Sequence, residues 1–161
     1  MTEIVRFSAA PAVFEAAAAL FTAVNAELGA LMPYAEIEHV GSTAVHGTLT
    51  KGDLDIVIRV PADRFADALR VLEPRFARNT GSIRTDTFCA FEDAASNPPL
   101  GVQLVTVGAP EDFFLTWRAL LESDSQLRRD YDDLKRRFDG KPMEAYRAAK
   151  SEFIEARLKR L

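Results

Sequence analysis

The sequence predicts an α+β domain: a mixed sheet of about four strands flanked by helices, ending in a helical C-terminal third. Three observations carry this. Short runs with apolar residues at every second position, such as Asp53–Val60 (DLDIVIRV), alternate with longer runs at three- and four-residue spacing. From Pro110 onward only the helical period remains. At 161 residues, 48% of them apolar and 27% charged, the chain is long enough to bury one core and has the composition of a folded domain.

In chain order, Ser8 is positioned to cap a helix whose first turn accepts Pro11, running to about Ala30 before Gly29 and Pro33 end it. Val13, Phe14, Ala17, Phe21, Val24 and Leu28 form its apolar stripe. Ala35–Val40 reads as a strand, followed by the loop GSTAVHGTLTKG and then the strand Asp53–Val60. Pro61 opens a second helix over about Ala62–Arg75, striped by Phe65, Leu69 and Leu72. Strands near Ser82–Phe91 and Gly101–Val107, joined by the turn-rich EDAASNPP, predict an antiparallel pair. Three helices follow, marked by Phe114, Trp117 and Leu121, by Leu127, Tyr131, Leu134 and Phe138, and by Tyr146, Ala149, Phe153 and Ala156. Residues 1–161 thus form one domain, with an α/β core over 1–110 and a helical part over 111–161.

Composition also excludes classes of function. No apolar run reaches the roughly 20 residues of a membrane span, and the N-terminus lacks the pattern of a secretory leader. The lone Cys89, in TFCAF, reads as a small core residue, so a cytoplasmic location is expected. Residues 1–110 carry 8 basic and 13 acidic side chains and residues 111–161 carry 12 and 11, for a net charge of −4. That surface has no broad positive field for duplex nucleic acid, but it leaves room for a small anionic ligand held by local donors.

The chemistry concentrates in Glu38–Val60. A strand runs into Gly41–Ser42, and Asp53-x-Asp55 opens the next strand. Alternate strand residues share a face, so Asp53 and Asp55 project together, and paired carboxylates call for a cation between them. Magnesium or manganese suits such oxygen ligands and retains water and phosphate oxygens as its other partners. Gly41 allows close backbone approach to a phosphate and Ser42 adds a hydroxyl. His39 reads as a structural hydrogen-bonder, and Trp117, Phe113 and Phe114 read as core.

Gly41–Ser42 followed by Asp53-x-Asp55 resembles the signature of the nucleotidyltransferase superfamily, the fold of DNA polymerase beta. More narrowly, HVGSTAV (His39–Val45), Lys51-x-x-x-Asp55-Ile56, Trp117-Arg118 with Leu121, Tyr131-x-x-Leu134-Lys135 and Tyr146-x-x-Ala149-Lys150-x-x-Phe153-Ile154 resemble the GrpB (UPF0157) family. The resemblance implies a nucleotidyltransferase-like mixed sheet of about four to five strands. It also implies magnesium-dependent transfer of a nucleoside monophosphate from a nucleoside triphosphate such as ATP to an acceptor hydroxyl. Asp53 and Asp55 then bind metal. Gly41, Ser42, Lys51, Lys135, Tyr146 and Lys150 contact nucleotide or phosphate, with Tyr146 and Lys150 on one helix face. A functional link to dephospho-CoA kinase is a further implication, since family members occur fused to that enzyme. Two positions depart from the pattern. His46 replaces the family's proline after HVGSTAV. Gln103 stands nearest the place of a third carboxylate, where the family tends to histidine, and as a neutral amide it cannot act as a base. The alternative is a nucleotide-binding regulatory module that keeps the fold without catalysis.

Overall fold

The computed structural model describes residues 2–161. Five strands form one sheet in the order β1-β2-β5-β4-β3: β1 (Glu36–Val40), β2 (Leu54–Val60), β3 (Ala77–Arg78), β4 (Phe88–Asp93) and β5 (Leu100–Thr106). β2 and β5 run parallel at the centre, while β1 with β2, β4 with β5 and β3 with β4 are antiparallel. The sheet is therefore mixed, as the sequence predicts, and β4–β5 is the expected antiparallel pair.

The two faces of β2 have different fates because its residues alternate. Leu54, Ile56, Ile58 and Val60 pack with Leu100, Val102 and Leu104 of β5 against Ala17 and Leu28 of α1 (Pro11–Leu31) and Phe65, Ala68 and Leu72 of α2 (Phe65–Leu72). On the other face Val57 joins Val40, Phe88, Ala90 and Val105 beneath Phe114 and Leu115. The helical third comprises α3 (Phe114–Ser123), α4 (Ser125–Phe138) and α5 (Met143–Leu158). It has its own core of Trp117, Leu121, Leu127, Tyr131 and Leu134, and Val45 of the β1–β2 loop inserts into that core. Asp124 caps α4 by accepting from Leu127 N at 3.0 Å. Cys89 is buried in the first core and Trp117 in the helical one, as expected.

Several boundaries differ from the sequence reading. The first helix is capped at Ala10, with Pro11 in its first turn; the Ser8 hydroxyl accepts from Ala10 N instead. Ser8 is tied elsewhere, in a backbone bridge to Thr50. The second helix is shorter than Ala62–Arg75: a 3-10 turn over Ala62–Arg64 precedes Phe65–Leu72. The strand expected near Ser82–Phe91 begins only at Phe88, because Ile83–Asp86 is exposed and no residue of Ser82–Thr87 is buried. Two-residue β3 was not foreseen, since both its side chains are exposed and carry no apolar alternation. Finally, α1 is 21 residues long and apolar enough, by length and composition, to cross a membrane, contrary to the sequence reading. Here one stripe of it packs on the sheet, with Phe14, Ala17 and Leu28 buried.

Candidate active site

Asp55 sits where β1, β2 and β5 come into register: Val40 pairs with Asp55, and Asp55 with Gly101. Its side chain points away from α1 and α2, into a cavity of about 700 Å³. Two glycines make space for the carboxylate. A Cβ on Gly41 would lie 2.7 Å from Asp55 Oδ2, and one on Gly101 would lie 2.5 Å from Oδ1, closer than real Cβ atoms come. Gly41 also holds φ +76°, a left-handed conformation that disfavours other residues. Asp55 is half-buried at the cavity floor, open to the cavity yet packed round by protein. This loss of solvent pushes its pKa up against the opposing pull of Lys150.

Gln103, two residues along β5 on the same face, donates its amide to Asp55. Its Oε1 is buried with no hydrogen-bond partner among the described residues. With its Nε2 toward the carboxylate, the Gln103 amide turns its oxygen away from Asp55. A buried acceptor oxygen without a donor, next to a desolvated carboxylate, is an arrangement that calls for a cation or a ligand donor.

The remaining residues singled out in the sequence divide into two groups. Ser42, Lys51, Asp53, Asp55, Gln103, Tyr146 and Lys150 all line this cavity. Asp53 lies just before β2, and its carboxylate is 3.4 Å from Lys51 Nζ. Ser42 donates to Thr50 Oγ1 at 2.7 Å, and Thr50 also accepts from Gly52 N, so Thr50 retains its own hydroxyl proton at the cavity wall. Tyr146 is buried, with its ring edge-on to Phe7 at 5.0 Å and its hydroxyl paired with Tyr131; burial raises both phenol pKa values.

Lys135 lies outside the cavity lining. Its ammonium is fully buried, donating to Leu49 O at 2.6 Å, 3.6 Å from Asp132 and 4.0 Å from the Tyr131 ring centre. Asp132 accepts from Leu49 N at 3.0 Å, so one pair on α4 holds both polar atoms of a single loop residue. Burial lowers the Lys135 pKa to about 8, against the pull of Asp132. Asp86, just before β4, is exposed and outside the lining.

His39 and Thr43 brace the loop. Thr43 donates to Asp53 O at 2.9 Å and so accepts from His39 Nε2 at 2.9 Å, which fixes the proton on that nitrogen. Burial and the neighbouring Arg118 depress the His39 pKa to about 4, so the ring is neutral. His46 stacks on Phe14 at 5.3 Å and takes no part in the cavity.

Sequence reasoning missed Thr50, Arg6, Phe7, Glu92 and Arg147, which also line the cavity. Arg6 and Phe7 belong to the arm before α1, whose polar and apolar residues show no period. Glu92 pairs with Gly101 across β4–β5, an alignment visible only once the register is known.

Among the described residues no three His, Cys, Asp or Glu side chains are grouped to hold a metal. Asp55 and Asp53, whose carboxylates line the cavity, nevertheless offer the oxygen donors that a hard cation takes. With two carboxylates, most of the coordination sphere falls to water and phosphate.

A mixed sheet with a carboxylate beside a Gly–Ser turn defines a protein of nucleotidyltransferase-like fold. The structure is similar to an RNA terminal U-transferase (TM-score 0.52, 14% identity, 79% of this chain and 38% of that one). It is also similar to the Cid1 poly(U) polymerase (TM-score 0.51, 15% identity, 76% of this chain and 39% of that one). The chain belongs to the GrpB family, whose model, described as GrpB protein, matches residues 11–160. It is 33% identical over 137 residues to a UPF0157 protein of Vibrio cholerae, covering 84% of this chain and 72% of that protein. The conserved protein GrpB from Enterococcus faecalis has the same fold (TM-score 0.63, 18% identity, 81% of each chain).

Proposed function

We propose that the protein transfers a nucleoside monophosphate from a nucleoside triphosphate to an acceptor hydroxyl. The observation that carries this is the Asp55 carboxylate, seated between Gly41 and Gly101 beside the unpartnered Gln103 oxygen in a cavity large enough for a nucleotide. The fold supports it, since its structural neighbours include the Cid1 poly(U) polymerase, whose structure is known in complex with a UTP analogue.

In this reading Asp53 and Asp55 hold magnesium or manganese, which supplies positive charge to the phosphate oxygens. Ser42 and Thr50 hydrogen-bond the phosphates at the Gly41 turn. Lys51 and Lys150 neutralise their charge, and Tyr146 shapes the wall on which Lys150 stands. The acceptor oxygen bonds to the α-phosphorus while the bond from that phosphorus to the bridging oxygen breaks. Pyrophosphate leaves with the electron pair, and the hydroxyl proton passes to solvent. Lys135 acts on the phosphates through the Leu49 loop. A cytoplasmic site of action and a link to dephospho-CoA kinase complete the proposal.

Release of pyrophosphate from ATP, CTP or UTP, measured with magnesium and pooled hydroxyl acceptors, tests the reading. Wild type turns over, and Asp55→Asn loses about 100-fold or more. No turnover by wild type with any acceptor pool defeats it. A second reading, a nucleotide-binding module without catalysis, is favoured by the neutral Gln103. Calorimetric nucleotide binding that is indifferent to magnesium and without turnover supports that module.

A further inference from the structure

The arm before α1 is built into the fold although it precedes the residues matched by the family model. Val5 is fully buried and exchanges backbone hydrogen bonds with the α4–α5 turn, donating to Lys141 O and accepting from Gly140 N, both within 3.0 Å. Glu3 O accepts from Met143 N at 2.8 Å, and Phe7 N donates to Asp139 Oδ1 at 3.2 Å. At its other end Ser8 and Thr50 exchange backbone bonds of 2.8 and 2.9 Å. The arm therefore bridges the Ser42–Thr50 loop and the start of α5. Its Arg6 guanidinium occupies the space a side chain at Gly140 would take, and Gly140 has φ +81°. A glycine there is what lets Arg6 lie over the turn.

Three cations of the cavity wall are aligned by this construction. Lys150 on α5 lines the same cavity as Asp55 and is the main cation opposing the rise of its pKa. Arg147 lies three residues, about 4.5 Å of helix rise, back toward the start of α5. Arg6 lies beyond it, strapped to that start by the Glu3–Met143 and Val5–Lys141 bonds. Glu3 and Glu92 share the cavity, yet among the described residues none of the three cations has a carboxylate within 4.0 Å. Lys51, the other cation of the cavity, is by contrast paired with Asp53 at 3.4 Å.

We propose that Lys150, Arg147 and Arg6 form a ladder that seats a chain of phosphates along α5, with Arg147 and Arg6 on the phosphate farthest from Asp55. The inference rests on the nucleotide reading above for its direction. It adds a subsite furnished by the arm, and it selects for a phosphate one helical turn beyond the reacting one. That phosphate is the end of the triphosphate tail or a phosphate on the acceptor.

Calorimetry with a non-hydrolysable ATP analogue, AMP and inorganic pyrophosphate, on wild type, Arg6→Gln, Arg147→Gln and the off-site control Arg137→Gln, tests it. Thermal melts check that each variant is folded. Arg6→Gln and Arg147→Gln each weaken the analogue and pyrophosphate about tenfold, and AMP and the control are unchanged. Equal losses for AMP, unaltered affinities, or no binding of pyrophosphate to wild type overturns the ladder. Pyrophosphate binding that depends on Arg6 without any nucleotide binding keeps the ladder and defeats the nucleotide reading. Nucleotide turnover indifferent to Arg6 and Arg147 does the reverse. Loss for both ligands, with the two in competition, assigns the subsite to the triphosphate tail; loss for pyrophosphate alone, with both bound at once, assigns it to the acceptor.

Discussion

Asp55 and Arg59 lie four residues apart on the same face of β2 and have opposite surroundings. Arg59 donates to both Asp112 oxygens, at 2.8 and 2.9 Å, and also pairs with Glu36. The pair holds the Asp112 carboxyl below its usual range, helped by a bond from Gly108 N at 2.9 Å, and raises the Arg59 pKa. Every charge at that end of the strand is answered from within the protein. At the other end Asp55 is desolvated, its pKa is raised, and the neighbouring Gln103 oxygen has no partner among the described residues. A strand thus carries a completed ion pair at one end and an incomplete one at the other. The lesson is that the unanswered charge, not the charge itself, marks where a ligand belongs.

The contrast is sharpest in Gly101→Ala. Gly101 is one of the two glycines that admit Asp55, and the new Cβ would stand 2.5 Å from Oδ1, so the carboxylate must move. Nucleotide turnover falls on the order of 100-fold while the fold persists; unchanged turnover breaks the argument that these glycines seat a functional carboxylate. Next comes a pair of opposite outcomes in urea unfolding. Arg59→Met leaves Asp112 buried and unpaired and costs about 3 kcal/mol. Asp55→Asn removes a desolvated charge and leaves stability equal or higher. If both variants lose stability alike, the two ends of β2 do not differ.

Lys135→Met removes the donor to Leu49 O and costs about 2 kcal/mol. It also speeds hydrogen exchange at Leu49 and Thr50 relative to α1, which tests whether the α4 pair holds the loop. An effect confined to acid concerns His39, whose folded pKa of about 4 lies below its ordinary 6.5. The unfolded chain takes up the proton first, so this contribution is complete above pH 6.5 and is lost as pH falls toward 4. Unfolding free energy therefore drops across that window, and His39→Gln flattens the slope.

Much of this was legible in the residues. The alternation in DLDIVIRV identified β2 and the three-four spacing identified α1 and α3–α5, because burial on one face writes itself into sequence at those periods. Gly41–Ser42 and Asp53-x-Asp55 identified the loop and carboxylates that meet at the cavity. What escaped depends on register and on contacts distant in the chain. Gly101 matters only because it pairs with Asp55, and Glu92 reaches the cavity only through its pairing with Gly101. Lys135 carries the family pattern, but its partner is a backbone carbonyl 86 positions away, which no local spacing announces. The arm has no periodicity, since its order comes from bonds such as Phe7 to Asp139, 132 positions apart.

That last separation has a consequence for biosynthesis. The arm leaves the ribosome before any strand of the sheet, but its partners at Asp139–Met143 leave only after all of them. The β2–β5 sheet can assemble earlier, because its strands are complete by Thr106. The cavity wall that carries Arg6 closes only after α4 has been made. A nascent chain thus holds its carboxylates in place before the fold can enclose a ligand beside them.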